Sequence, residues 1–203
     1  MWMSKAYTEL ERELLLQKVQ MHMSEKRFKH VLGVEETAVA LAEKYGVDPE
    51  KASIAALCHD YAKERPDDEF QMVIRRDGFE LDLLNWNNAI WHGVVGADFV
   101  QRELGIDDEE ILNAIRLHTT GAAQMTLLDK IIYVADYIEP GRDFPGVQEA
   151  REIALVDLDE AVAYETKHTL EHLLATEKAV YPKTIETYNY WVAKHNRKGA
   201  DLK

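Results

Sequence analysis

An all-α fold follows from three features of this 203-residue sequence. Apolar residues recur at three- and four-residue intervals through most of the chain. Nowhere do apolar and polar residues alternate as a half-buried strand requires. Helix start and stop signals punctuate the apolar runs at short intervals.

Leu10, Leu14, Val19 and their neighbours predict an amphipathic first helix. Ser24 is an N-cap for a second, which sets His30, Val34, Ala38, Leu41 and Tyr45 on one inward face and stops at Gly46. Asp48-Pro49 pairs an N-cap with a proline at the first helical position. The helix it opens is expected to run through His59, Asp60 and Lys63 and to end before Pro66. Asp67 begins a short helix ending near Gly78, and Leu83 to Trp91 reads as irregular. His92-Gly93 leads into a helix ending at Gly105. The next runs from about Asp108 to His118, stopping at Thr119-Thr120-Gly121. Thr126 caps the strongly apolar helix Leu127 to Ile138, and residues 140–146 are a loop rich in proline and glycine. Two or three more helices follow: Val147 to Ala154, Asp157 to about Lys178, and Pro182 to His195. Asn196 to Lys203 are polar and expected to fray. With no repeat and no shift in composition, the chain reads as one domain over residues 1–203.

Composition excludes several classes. No apolar run approaches the roughly 20 residues needed to span a bilayer. Glu9, Glu11 and Glu13 among the N-terminal leucines do not suit a signal peptide. One cysteine, Cys58, leaves no internal disulfide and fits a reducing cytoplasm. A formal net charge of −13 repels nucleic-acid polymers, whose binding requires many neutralised phosphates. A small anionic substrate stays open, because Arg27, Lys29, Lys63, Arg65 and Arg142 lie close to the residues considered next.

The run Ala55-Ala56-Leu57-Cys58-His59-Asp60-Tyr61-Ala62-Lys63 is apolar on nearly every side of a helix. A carboxylate there is costly unless something positive meets it. Asp129 poses the same problem in an equally apolar helix. His30, His92 and His118 are further imidazoles on, or at the ends of, inward-facing helices. A single inward histidine is more often a core residue than a ligand, and His22, His168, His172 and His195 are read as surface or structural. Two aspartates in apolar helices together with four histidines point to a metal as the positive partner. Spacing does not say which residue holds which ion. Trp86, Trp91, Tyr133 and Tyr137 are taken as core rather than as base-stacking residues, and Cys58 as a packing residue.

The order His30, His59-Asp60, Asp129 resembles the HD-domain phosphohydrolase superfamily, and His92 and His118 resemble the extra histidines of its two-metal branch. The segments 26–34, 57–63 and 129–142 resemble the YqeK-like bacterial family of symmetrical diadenosine tetraphosphate hydrolases. The resemblance covers about residues 20–190. It implies an HD-domain helical bundle with a dinuclear metal site in its core, the motif core spanning about 20–146 and C-terminal helices about 147–195. It implies His30, His59, Asp60 and Asp129 on one ion, and Asp60, His92 and His118 on the other. Nitrogen and oxygen ligands without thiolate suit iron, which the family usually carries, or manganese.

The implied activity is cleavage of diadenosine tetraphosphate into two ADP by a cytoplasmic enzyme. Asp60 and Lys63 are the catalytic candidates. Arg27, Lys63, Arg142 and Thr119 are the candidate substrate contacts, the arginines as two-pronged phosphate clamps. Asp136 is assigned a place behind the ligands, orienting one of them or Lys63. The alternatives are an HD phosphohydrolase of another small nucleotide, a non-catalytic nucleotide-sensing module, and a helical scaffold with a structural metal. Neither a nucleic-acid polymer nor a membrane is expected as a partner, and a homodimer through the C-terminal helices is left open.

Overall fold

The computed structural model describes residues 7, 8 and 10–200, with side chains through residue 192. The readings made on Glu9, on the His195 side chain and on residues 201–203 lie outside the described residues. Among the described residues there are eleven α-helices, one short 3-10 helix and no strand.

α1 (Arg12–Gln20) buries Leu15 and Val19, while Leu14 turns outward, so the first helix starts later and faces differently than expected from Leu10 and Leu14. α2 (Glu25–Tyr45) is capped by the Ser24 side chain and ends at Gly46, whose φ of 72° is the left-handed conformation. α3 (Pro49–Cys58) is capped by Asp48 and buries every residue from Ala52 onward. It stops one residue short of the His59-Asp60 pair, which the sequence had placed inside it. The cause is local. His59 Nδ1 donates to the Ala56 carbonyl at 2.7 Å, the acceptor that Asp60 N–H would use in a continuing helix. Tighter turns follow, with Tyr61 N–H on Cys58 O and Lys63 N–H on Asp60 O.

α4 (Asp67–Arg76) precedes the 3-10 helix Leu81–Asn85. The stretch expected to be irregular is therefore mostly helical, because Asn87 caps α5 (Asn88–Val94) five residues before His92. α6 (Gly96–Leu104) continues after a break at Val95, α7 spans Glu109–Leu117, and α8 spans Leu127–Ile138. α9 (Val147–Ala154), α10 (Leu158–Ala175) and α11 (Pro182–Ala200) complete the chain. α11 continues past Asn196, where fraying was expected.

α8 is apolar on most of its surface and lies in the middle, packed on α2, α3, α7, α9 and α10. The core is contiguous from Leu15 to Trp191. No described helix is long and apolar enough to cross a membrane. The C-terminal helices brace loops of this same chain. From α11, Thr187 Oγ1 donates to Thr120 O and Trp191 Nε1 donates to Ala122 O. From α9, Arg151 donates to the carbonyls of Ile138, Glu139 and Arg142.

Candidate metal centre

Five helices deliver the polar cluster. His30 comes from the second turn of α2, and His59 from the C-cap of α3 with Asp60 next to it. His92 comes from α5, His118 from the C-cap of α7, and Asp136 from the last turn of α8. His59, Asp60, His92 and His118 are each at most 3% exposed.

The histidines are fixed from behind. Nδ1 of His59, His92 and His118 donates to the carbonyls of Ala56, Asn88 and Ile115 at 2.7, 2.6 and 2.8 Å. A carbonyl only accepts, so Nδ1 carries the proton and Nε2 presents its lone pair inward. His118 ends α7 as His59 ends α3, by occupying the carbonyl three residues back. His30 differs: its Nδ1 lies 3.1 Å from Glu139 Oε1.

Asp60 stands between two sets of nitrogens. Its Oδ2 is 3.7 Å from His30 Nε2 and 3.5 Å from His59 Nε2. Its Oδ1 is 3.5 Å from His92 Nε2 and 3.8 Å from His118 Nε2. Asp136 Oδ1 lies 3.1 Å from His30 Nε2 and 4.0 Å from His59 Nε2. Three overlapping groups are therefore close enough to hold an ion: His30, His59 and Asp60; His59, His118 and Asp136; Asp60, His92 and His118.

The cluster fits cations. Nε2 of His30 and of His59 are buried without a hydrogen-bond partner. Nε2 of His92 and His118 face each other at 3.0 Å, two lone pairs that the Lys63 ammonium and the Thr119 hydroxyl approach as donors. Burial, the Lys63 charge and His118 hold His92 well below the ordinary imidazole range. Burial and the charge of His59 bring His118 down to about 4. Burial alone would raise Asp60 and Asp136. The imidazole of His59 beside Asp60, and those of His30 and His59 with Arg142 beside Asp136, hold both carboxylates well below their usual range. His92 and His118 are thus held neutral and both carboxylates ionised, the forms a metal binds, while Asp60 raises His59 against its burial, so that ring gives up a proton when it takes an ion.

Asp129 is not part of this cluster, which corrects the sequence reading. It is the third residue of α8 and closes a capping box: its Oδ2 accepts from Thr126 N–H while its own N–H donates to Thr126 Oγ1. Asn113 Nδ2 donates to both of its oxygens at 3.0 Å. The buried carboxylate is thus satisfied by hydrogen bonds, and Asp136, two turns on and read from the sequence as standing behind the ligands, is the α8 acid that faces His30 and His59. The pattern Thr126-x-x-Asp129 at the start of an apolar run carried that signal in the sequence. Glu139 was missed altogether.

The proposed substrate contacts ring the cluster. Arg27 bonds Asp60 Oδ2 at 2.8 Å, and Arg142 bonds Asp136 Oδ1 at 2.6 Å. Lys63 Nζ lies 3.1 Å from His92 Nε2, reached through the turn after α3 rather than along a helix face. Thr119 Oγ1 is 3.0 Å from His118 Nε2. A cleft of about 630 Å³ opens beside His30, walled by Lys26, Arg27 and Lys29 of α2 and by the 139–142 loop with Arg142.

Residues 27–141 match the family model described as HD domain. A protein of Bacillus subtilis (strain 168) named bis(5'-nucleosyl)-tetraphosphatase, symmetrical, is 48% identical over 91% of this chain and 99% of its own length. A protein of the same name from Halalkalibacterium halodurans is 45% identical over 89% of this chain and 96% of its own length. A crystal structure from Clostridium acetobutylicum is described as a predicted HD superfamily hydrolase involved in NAD metabolism. It matches with a TM-score of 0.86 at 41% identity, covering 91% of this chain and 98% of that one.

Proposed function

The chain belongs to the HD domain family, and from that premise we propose that it hydrolyses diadenosine tetraphosphate symmetrically to two ADP. The observation that carries the reading is Asp60, whose two oxygens face two separate sets of imidazole nitrogens. A carboxylate can serve two ions in this way and an imidazole cannot.

We assign His30, His59, Asp60 and Asp136 to one ion, and Asp60, His92 and His118 to the other. Iron or manganese suits a donor set of nitrogen and oxygen without thiolate. When bound, such ions stabilise charge on phosphoryl oxygens and make a water acidic enough to attack at neutral pH.

The chain's own residues supply the rest. The cleft sets Lys26, Arg27, Lys29 and Arg142 along one approach to the cluster, in a lining that also holds Glu36, Glu64 and Glu139. A polyphosphate lies there with its inner phosphorus beside Asp60. Water oxygen bonds to one inner phosphorus, the bridging oxygen leaves with the other ADP, and the water proton is released. Negative charge grows on the phosphoryl and bridging oxygens. Lys63 and Arg27 donate to them, and Thr119 orients a phosphate oxygen. Burial and the neighbouring Arg27 lower Lys63, while Asp60 opposes the shift, so this ammonium gives up a proton more readily than a surface lysine.

We take the whole chain as one HD unit, with helices 147–195 bracing the site rather than forming a second one. A reducing cytoplasm suits it, since Cys58 is a buried free thiol.

Product analysis tests the reading. Purified protein with manganese or iron and diadenosine tetraphosphate should give ADP alone, and faster than it degrades other small nucleotides. AMP with ATP would overturn the symmetric geometry.

A further inference from the structure

We propose that Glu139 is a positioning residue that sets the tautomer and ring orientation of His30, and so tunes one half of the centre separately from the other. The inference rests on the two-ion reading above.

His30 is the histidine of the cluster whose Nδ1 meets a carboxylate rather than a backbone carbonyl. Glu139 is 4% exposed and directly follows α8, three residues after Asp136. The backbone around it is shaped to admit its side chain. Gly33 lies one turn after His30 on α2, and a Cβ there would stand 2.6 Å from Glu139 Oε2. A Cβ on Gly141 would stand 2.9 Å from the same atom, and Gly141 N–H donates to it. Arg151 grips the carbonyls on both sides of the loop, which fixes where Glu139 starts.

An alternative role is simple neutralisation of Arg142. Arg142 lies 3.7 Å from Glu139 Oε1 but 2.6 Å from Asp136 Oδ1, so its charge is spent mainly on Asp136. Glu139 Oε1 is closer to His30 than to that guanidinium. A carboxylate acceptor keeps the proton on Nδ1, directs the Nε2 lone pair into the cluster and strengthens it as a donor to a cation. A carbonyl, as used by the other three histidines, polarises the ring less.

Mn(II) affinity measured by chelator competition tests this without activity. Wild-type protein should bind two ions. Glu139→Ala should weaken one of them by about 10–100-fold and leave the other within a few-fold. Glu139→Gln keeps an acceptor for Nδ1–H and should recover part of that loss. Gly33→Ala, with the carboxylate intact but displaced, should weaken the same ion. The proposal falls if Glu139→Ala binds both ions as wild type does. It also falls if the Ala and Gln variants lose both ions equally with a matching drop in the Tm of the metal-free protein, the mark of a mere brace. Wild-type protein that binds no Mn(II) would instead overturn the two-ion reading itself.

Discussion

Thr187 Oγ1 donates to the Thr120 carbonyl at 3.0 Å across 67 residues of sequence, joining α11 to the loop that follows His118. Gly121 sits under the same side chain. Its φ is +59°, and a Cβ there would stand 2.7 Å from Thr187 Cγ2. Thr119, two residues earlier, touches His92 and His118. The last helix of the chain therefore holds a wall of the site.

Gly121→Ala combines left-handed strain with a clash and should cost about 1–3 kcal/mol. Thr187→Val removes the hydroxyl's bonds to the Thr120 and Lys183 carbonyls and keeps the side chain's bulk, and should cost about 1 kcal/mol. Thermal melts should order the proteins as wild type, Thr187→Val, Gly121→Ala. An unchanged Tm in Gly121→Ala would contradict the close packing of α11 on this loop.

Glu165 of α10 is buried, and its Oε2 has no hydrogen-bond partner. Burial and the nearby charge of Asp136 push it well above the ordinary carboxylate range, against a smaller pull from Arg142. Between its unfolded and folded pKa the native state holds the extra proton. Stability is therefore full below about pH 4.5 for this group and falls as pH rises through the window above. Glu165→Gln should be more stable than wild type at pH 8 and gain less at pH 5, read as Tm at both values. An equal shift at the two pH values would contradict the assignment.

Lys63 and Arg27 should separate kinetically. Lys63 lies against His92 and is assigned to the phosphoryl oxygens where charge grows, so Lys63→Ala should lower kcat by about 100-fold or more with a small change in KM. Arg27 also lines the cleft, so Arg27→Ala should raise KM as well as lower kcat. Steady-state kinetics with diadenosine tetraphosphate decides, and a Lys63→Ala protein with unchanged kcat would remove Lys63 from the chemistry.

Much of the helical frame was legible because its punctuation is local. Ser24, Asp48-Pro49, Asp108 and Thr126 start helices, and Gly46 and Gly105 end them, as read from the sequence. The end of α3 was not legible. Nothing between Ala55 and Lys63 breaks a helix by propensity, and the stop comes from the His59 ring taking the Ala56 carbonyl. The start of α5 was hidden in a mixed stretch, where the Asn87 cap outweighed the weak apolar pattern. That four histidines and Asp60 come together was readable from their inward-facing positions. The second acid of the cluster was not, because two aspartates share one apolar helix. Only the partners of Asp129, a cap and Asn113, show that its charge is already satisfied. Glu139 lies beyond the helix in a proline-glycine loop, where no periodicity marks a residue as buried.

The pair Asp136→Ala and Asp129→Ala, compared for bound metal and for ADP formed from diadenosine tetraphosphate, tests the centre most directly. Asp136→Ala should lose at least one ion and essentially all ADP formation. Asp129→Ala should lose one half of the capping box and leave Asn113 without its acceptor, about 1–3 kcal/mol of stability, and keep both ions and most of the activity. The reverse result, with Asp129→Ala metal-free and Asp136→Ala active, would contradict the centre described here.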